Sequence, residues 1–163
     1  MATEKQFEHF KFIYLQEEER HKELIERGKV YLAIVTFYLG FLVSNFVPAV
    51  KPGEQLLLLD IARLSSFFLG MTLFIVAFVF ITFSFSIYRH EVFADPKEII
   101  ESFGDVAPND EEFFDDRIIE FAASTIKNRI INNNRAKKLK SATILMLIGI
   151  TLHMVLLFLK LSI

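Results

Sequence analysis

Three long stretches without a charged residue decide most of what this chain can fold into. Residues 30–47 read VYLAIVTFYLGFLVSNFV, residues 64–88 read LSSFFLGMTLFIVAFVFITFSFSIY, and residues 141–159 read SATILMLIGITLHMVLLFL, with His153 as the only ionisable side chain among them. As a helix even the shortest reaches ~27 Å, close to the ~30 Å of a bilayer's hydrocarbon core. A buried helix of a soluble protein passes the same test once. A chain of 163 residues has too little mass to cover three such stretches at once. Composition agrees with this segregation: 53% of residues are hydrophobic and 19 are Phe, yet 23% are charged. That excludes a disordered chain and a plain soluble α/β enzyme. The absence of Cys excludes a disulfide scaffold, a thiolate metal site and a cysteine nucleophile. A net charge of −2 gives no general pull toward nucleic acid, and none is expected as a partner.

The expected fold is all-α: an integral membrane protein with three transmembrane helices and a cytoplasmic helical domain built from long helix extensions. Residues 1–29 form a cytoplasmic amphipathic helix, 30–47 the first span, and 48–63 an outer loop and helix start. Residues 64–88 form the second span, 89–140 a cytoplasmic helical region, and 141–160 the third span. No small-residue cleavage site follows the first block, so all three spans are expected to be retained. Lys and Arg set the orientation. Arg27 and Lys29 precede the first span, Arg89 follows the second, and Arg135, Lys137, Lys138 and Lys140 precede the third, whereas the opposite side carries only Lys51, Arg63 and Lys160. The N-terminus is therefore expected in the cytoplasm and the C-terminus outside.

The outer turn centres on Pro48 to Gly53, with the second helix starting near Glu54 and Asp60 placed to pair with Arg63 one turn on. On the inner side, Phe7, Phe10 and Tyr14 form an apolar stripe widened by Phe12, Ile13 and Leu15. Such a stripe packs on the protein's own cytoplasmic loop or binds a partner. In that loop, Asp95, Pro96 and Gly104 bracket one short helix. Pro108-Asn109-Asp110 opens a second helix, with no Pro or Gly before the third span. Continuous to near the C-terminus it would be ~80 Å long, with Asn132, Asn133 and Asn134 marking a kink.

Catalytic chemistry is hard to find. The acidic group Asp110, Glu111, Glu112, Asp115 and Asp116 sits in first helical turns, where acids complement the helix dipole without a metal. The histidines are scattered, and no paired-histidine or nucleophile motif is present. The expectation is a protein that is not an enzyme, with no cofactor and no metal. Packing signals are plentiful. Ser66 and Gly70 form a small-x-x-x-small pair, and Gly149 lies one turn before His153 on the same face. These four residues are expected to pack helices together, and the natural outcome is a homo-oligomer. Thr36, Ser44 and Asn45 in the first span and Thr72, Thr82, Ser84 and Ser86 in the second can bond between helices, and a pore lined by hydroxyls and Phe rings would suit a hydrophobic gate. The intramembrane His153 is either such a functional group or a neutral ring held by one hydrogen bond. The run Arg135, Lys137, Lys138 and Lys140 meets the inner leaflet or an anionic ligand such as a nucleotide.

Two stretches carry a resemblance: RHKELIERGKVYLAIVTFYLG at 20–40, a charged helix feeding into a span, and RIIEFAASTIKNRIINNNRAKKLKS at 117–141 before the third. The layout resembles small bacterial membrane effectors of nucleotide-signalled anti-phage systems, including SLATT-like domains. Those typically have two spans, so the third is a departure, and no family residue carries over. The resemblance implies an oligomeric effector or channel-like protein in a bacterial inner membrane, responding to a cytosolic partner or nucleotide signal. The alternative is a non-conducting anchor that recruits a cytosolic protein.

Overall fold

The computed structural model describes residues 4–45, 58–85 and 110–161, and all of them are helical. The helices are α1 (Glu4–Asn45), α2 (Leu58–Phe85) and α3 (Asp110–Leu161). Glu4 lies in the first turn of α1, where a carboxylate complements the positive end of the helix dipole. The expected outer turn at 48–53 and short helix at 95–104 lie outside the described residues, and the Asp60–Arg63 pairing falls on side chains that lie outside the description.

Every helix buries positions that alternate three and four residues apart. In α2 the buried residues are Phe67, Gly70, Phe74, Ala77, Ile81 and Ser84. In α3 the same alternation runs from Phe121 and Thr125 through Asn128, Asn132 and Arg135 to Gly149 and His153, and in α1 Tyr14, Glu17, Leu24, Gly28, Val35 and Leu42 keep the same phase. A repeat of 3.5 keeps one seam facing its neighbour only if the helices cross at a shallow angle and supercoil left-handedly.

The chain divides into two compact units. The first takes residues 4–25 of α1 and 110–134 of α3 and is a parallel helix pair. Phe7 meets Phe114 at 5.3 Å between ring centroids and Tyr14 meets Phe121 at 5.4 Å, so both chains advance together. The expected packing of the N-terminal stripe on the protein's own loop region is thus half right. Phe7 and Tyr14 pack on α3, while Phe12 and Leu15 stay exposed.

The second unit takes residues 26–45, 58–85 and 135–161 and is a three-helix bundle. Tyr38 of α1 stacks on Phe74 of α2 at 4.4 Å, and Leu42 shares a cluster with Phe67. Gly149 of α3 also faces Phe74. Contacts between α1 and α2 therefore pair rising with falling residue numbers, as do those between α2 and α3. The bundle is up-down-up. Val35, Phe74 and Ile81 are fully buried at its centre, while Phe37, Phe68, Leu69, Ile75, Phe83, Leu147 and Phe158 are exposed on its outside.

Among the described residues two helices are long and apolar enough to cross a membrane, over Leu64–Phe85 and Phe113–Val155, and only 28% of the most apolar window in each is buried. That fraction is low for the core helix of a soluble protein. The block expected as the first span, 30–47, runs past the described end of α1. Hydroxyls on these helices answer to their own backbones. Thr72 Oγ1 donates to the Phe68 carbonyl at 2.8 Å, Thr82 Oγ1 to Phe78 at 2.9 Å and Ser84 Oγ to Ile81 at 2.7 Å. This corrects the expectation that Thr72, Thr82 and Ser84 bond between helices. A hydroxyl one turn above a carbonyl finds that acceptor without any partner helix.

Candidate functional site

Two groups of polar side chains occupy seam positions that a plain coiled coil would fill with Leu or Ile. The first is in the parallel pair. Glu17 is buried on α1, and its Oε1 accepts from Arg129 Nε at 3.0 Å. Asn132 is fully buried on α3; its Nδ2 donates to the Glu17 backbone carbonyl at 2.8 Å and to Glu17 Oε2 at 3.1 Å. One turn on, Arg20 reaches Glu17 Oε2 through Nη1 at 3.4 Å and donates through Nη2 to Asn133 Oδ1 at 2.8 Å. His21 Nδ1 lies 3.3 Å from Asn132 Oδ1.

Burial alone would push the Glu17 carboxyl up. The hydrogen bonds from Asn132 and Arg129, with the charges of Arg20 and Arg129, outweigh it and hold the group below the ordinary carboxylate value. Glu17 therefore stays ionised in the pair at neutral pH. A buried Asn in a coiled-coil seam fixes register, because any slip leaves its amide unpaired. Here Asn132 is tied to both the backbone and the side chain of one residue, which sets the level of α1 against α3.

This also explains a difference from expectation at Asn132–Asn134. Helical backbone continues through all three residues. Asn is a poor helix former by several tenths of a kcal/mol, but the bonds made by Asn132 and Asn133 to α1 are worth about 1 kcal/mol or more each. Propensity loses to tertiary bonding.

The second group is in the three-helix bundle. His153 is buried, with Nδ1 3.1 Å from the Tyr38 hydroxyl, which donates when that nitrogen carries no proton. His153 Nε2 is buried without a hydrogen-bond partner among the described residues. The ring lies over Gly70: a Cβ there would stand 2.6 Å from Nε2 and 2.7 Å from Cε1. Gly149 gives the same clearance to Phe74, whose Cε2 would stand 2.6 Å from an added Cβ. Gly28 gives it to Phe85. Each glycine is the hole into which an aromatic ring of another helix fits.

The structure thus places the four residues expected to pack helices as follows. Gly70, Gly149 and His153 meet one another's helices within a single chain, and Ser66 is half-buried. The close approach expected between subunits is already taken up by intrachain rings. Of the basic run, Arg135 is buried and donates through Nε to the Ser84 carbonyl at 2.7 Å, and Lys138 Nζ donates to the Phe83 carbonyl at 2.9 Å. Both carbonyls are in the last described turn of α2. Lys137 and Lys140 are exposed and face no such duty. No cluster of metal-ligating side chains occurs among the described residues.

Glu17, Tyr38, Phe74, Arg129 and Asn132 were not among the expected site residues. The signal that could have found them is the seven-residue phase: Glu17, Tyr38 and Asn132 sit in the same register as Tyr14, Val35 and Leu139. No protein-family model, curated protein or solved structure matches this chain.

Proposed function

We propose that this chain is an integral membrane protein of three spans, with α1 and α3 rising and α2 returning between them. In this reading the parallel pair lies in the cytoplasm, the C-terminus lies outside, and the membrane is a bacterial inner membrane. The protein is an oligomeric effector or channel-like protein that perturbs or gates the membrane in answer to a cytoplasmic signal. The membrane part is supported by the apolar exterior of the bundle, with Phe37, Phe68, Leu147 and Phe158 outside, and by the small and polar residues Gly70, Gly149, Ser84 and His153 packed inside it. Lipid tails tolerate the apolar exterior, and close packing around small residues supplies the cohesion that hydrophobic burial cannot supply in a bilayer.

The signalling part rests on one observation. The helices that carry the Glu17–Asn132 register lock also supply two of the three helices of the bundle. A ligand or partner that displaces Glu17 or Asn132 from the seam frees α1 and α3 to take a different register, and a continuous helix carries that change along its length. Anti-phage defence is the setting the layout resembles.

A second reading, a non-conducting anchor, is favoured by the filled interior of the bundle. Val35, Phe74 and Ile81 close its centre among the described residues, so in the effector reading conduction runs between several copies. Membrane potential measured in cells and in proteoliposomes separates the two. Induced wild-type protein is expected to depolarise the membrane once activated, and a variant with Glu17→Arg is expected to do so without activation. An unchanged potential with both proteins correctly inserted assigns the anchor role.

A further inference from the structure

α3 carries a second heptad stripe on the side of the parallel pair turned away from α1. Ile119, Ile126 and Ile130 are 66%, 62% and 57% exposed, and Ala123 between them is exposed as well. Their spacings of four, three and four residues repeat the alternation of the seam that faces α1. At ~100° per residue they lie roughly 140–200° around the helix from Phe121. The stripe begins after Asp115 and Asp116 and gives way to Asn133 and Lys137, all polar and all exposed. It is therefore a bounded apolar strip about three turns long, outside the longest uncharged stretches of the chain.

We infer that this stripe is where copies of the chain meet in the cytoplasm, α3 against α3, parallel and in register about a common axis. The inference rests on the oligomeric reading above and supplies its interface. Three observations select this occupant. The phase of the stripe repeats that of the seam already filled by α1, and so matches another helix crossing at a shallow angle. A bilayer holds every copy of a three-span protein in the same direction, so α3 helices of neighbouring copies are parallel without further cost. On a symmetry axis each residue meets its own equivalent, so Ile119, Ile126 and Ile130 find Ile at their own level along the strip. In heptad terms Ile126 and Ile130 occupy both kinds of core position, a choice that favours assemblies of more than two strands. Phe12 and Leu15, exposed on the far side of α1, face away from this axis.

The chain has no native cysteine, so disulfide trapping reads the interface directly. Full-length Ile126→Cys and Phe12→Cys proteins, each in native membranes, are oxidised and the covalent dimer is quantified, with light scattering of the detergent-solubilised wild type alongside. The expected result is a dimer band from Ile126→Cys at least tenfold stronger than from Phe12→Cys, abolished in Ile126→Cys when Ile119→Glu and Ile130→Glu are added. A wild type of multiple mass with no Ile126→Cys dimer overturns the α3 interface and leaves the oligomeric reading standing. A wild type of monomer mass with no dimer sinks both. Equal trapping at both positions means collision or another surface and also overturns the interface.

Discussion

Gly70→Leu and Gly149→Leu are each expected to destroy the three-helix bundle, while Gly40→Leu leaves it intact. The contrast follows from what a side chain would meet. At Gly70 the first added carbon already falls within 2.7 Å of two atoms of the His153 ring, and at Gly149 within 2.9 Å of two atoms of Phe74. Neither ring has room to turn. His153 is tied to Tyr38, and Phe74 is fully buried and stacked on Tyr38. At Gly40 nothing lies within 4 Å. Overpacking by one or two methylenes costs about 1–3 kcal/mol, so a whole Leu at either site should cost about 3 kcal/mol or more. Gly40→Leu should change stability by less than about 1 kcal/mol, aided by better helix propensity. Thermal unfolding in detergent followed by circular dichroism checks this. A further test removes the obstruction: adding His153→Ala to Gly70→Ala should recover part of what Gly70→Ala loses, a positive coupling that only direct contact produces. Equal melting curves for Gly70→Leu and Gly40→Leu would contradict the packing.

Glu17→Arg should open the parallel pair. It places a third cation beside Arg20 and Arg129 and takes the carboxylate away from the buried Asn132 amide, which keeps only the backbone carbonyl of residue 17. Breaking a buried charged pair on one side costs about 3–5 kcal/mol, although the half-exposed Arg129 side chain puts this case at the lower end. Amide hydrogen exchange should accelerate across 10–25 and 117–134. Arg129→Glu in the same chain should restore part of the protection, because the pair is re-formed with its charges exchanged. Acid acts on the same contact. The folded pair holds Glu17 below the ordinary carboxylate value, so its ionised form contributes stability above about pH 4.3. That contribution is lost as pH falls through the lowered folded value. Wild type should therefore lose protection in acid more steeply than Glu17→Gln. Exchange in Glu17→Arg indistinguishable from wild type would remove the register lock.

The helices themselves were legible because nothing interrupts them: no Pro or Gly falls between Asp110 and the apolar block at 141–159, and the structure carries α3 through both. Their seams were not legible from hydrophobicity. In the bundle nearly every residue is apolar, so Phe74, buried, and Phe68, exposed, read alike. In the parallel pair the seam holds Glu17, Asn128 and Asn132, which a search for apolar periodicity scores as surface. The glycines were recognised as points of close approach, but their partners were not, since Tyr38, Phe74 and His153 lie on three different helices. The basic run illustrates the same limit: charge alone could not tell Arg135 and Lys138, bound to the end of α2, from Lys137 and Lys140, left exposed.

Three spans with a cytoplasmic α1–α3 pair are the centre of this account, and side-specific thiol labelling of intact cells tests them most directly. Single cysteines at Gln16, Gly53 and Ser162 are treated with a membrane-impermeant maleimide. The cysteines at Gly53 and Ser162 should label in intact cells, and the one at Gln16 only after the membrane is opened. Labelling of the Gln16 cysteine in intact cells, or protection of the Gly53 cysteine, would contradict the topology and with it the proposed function.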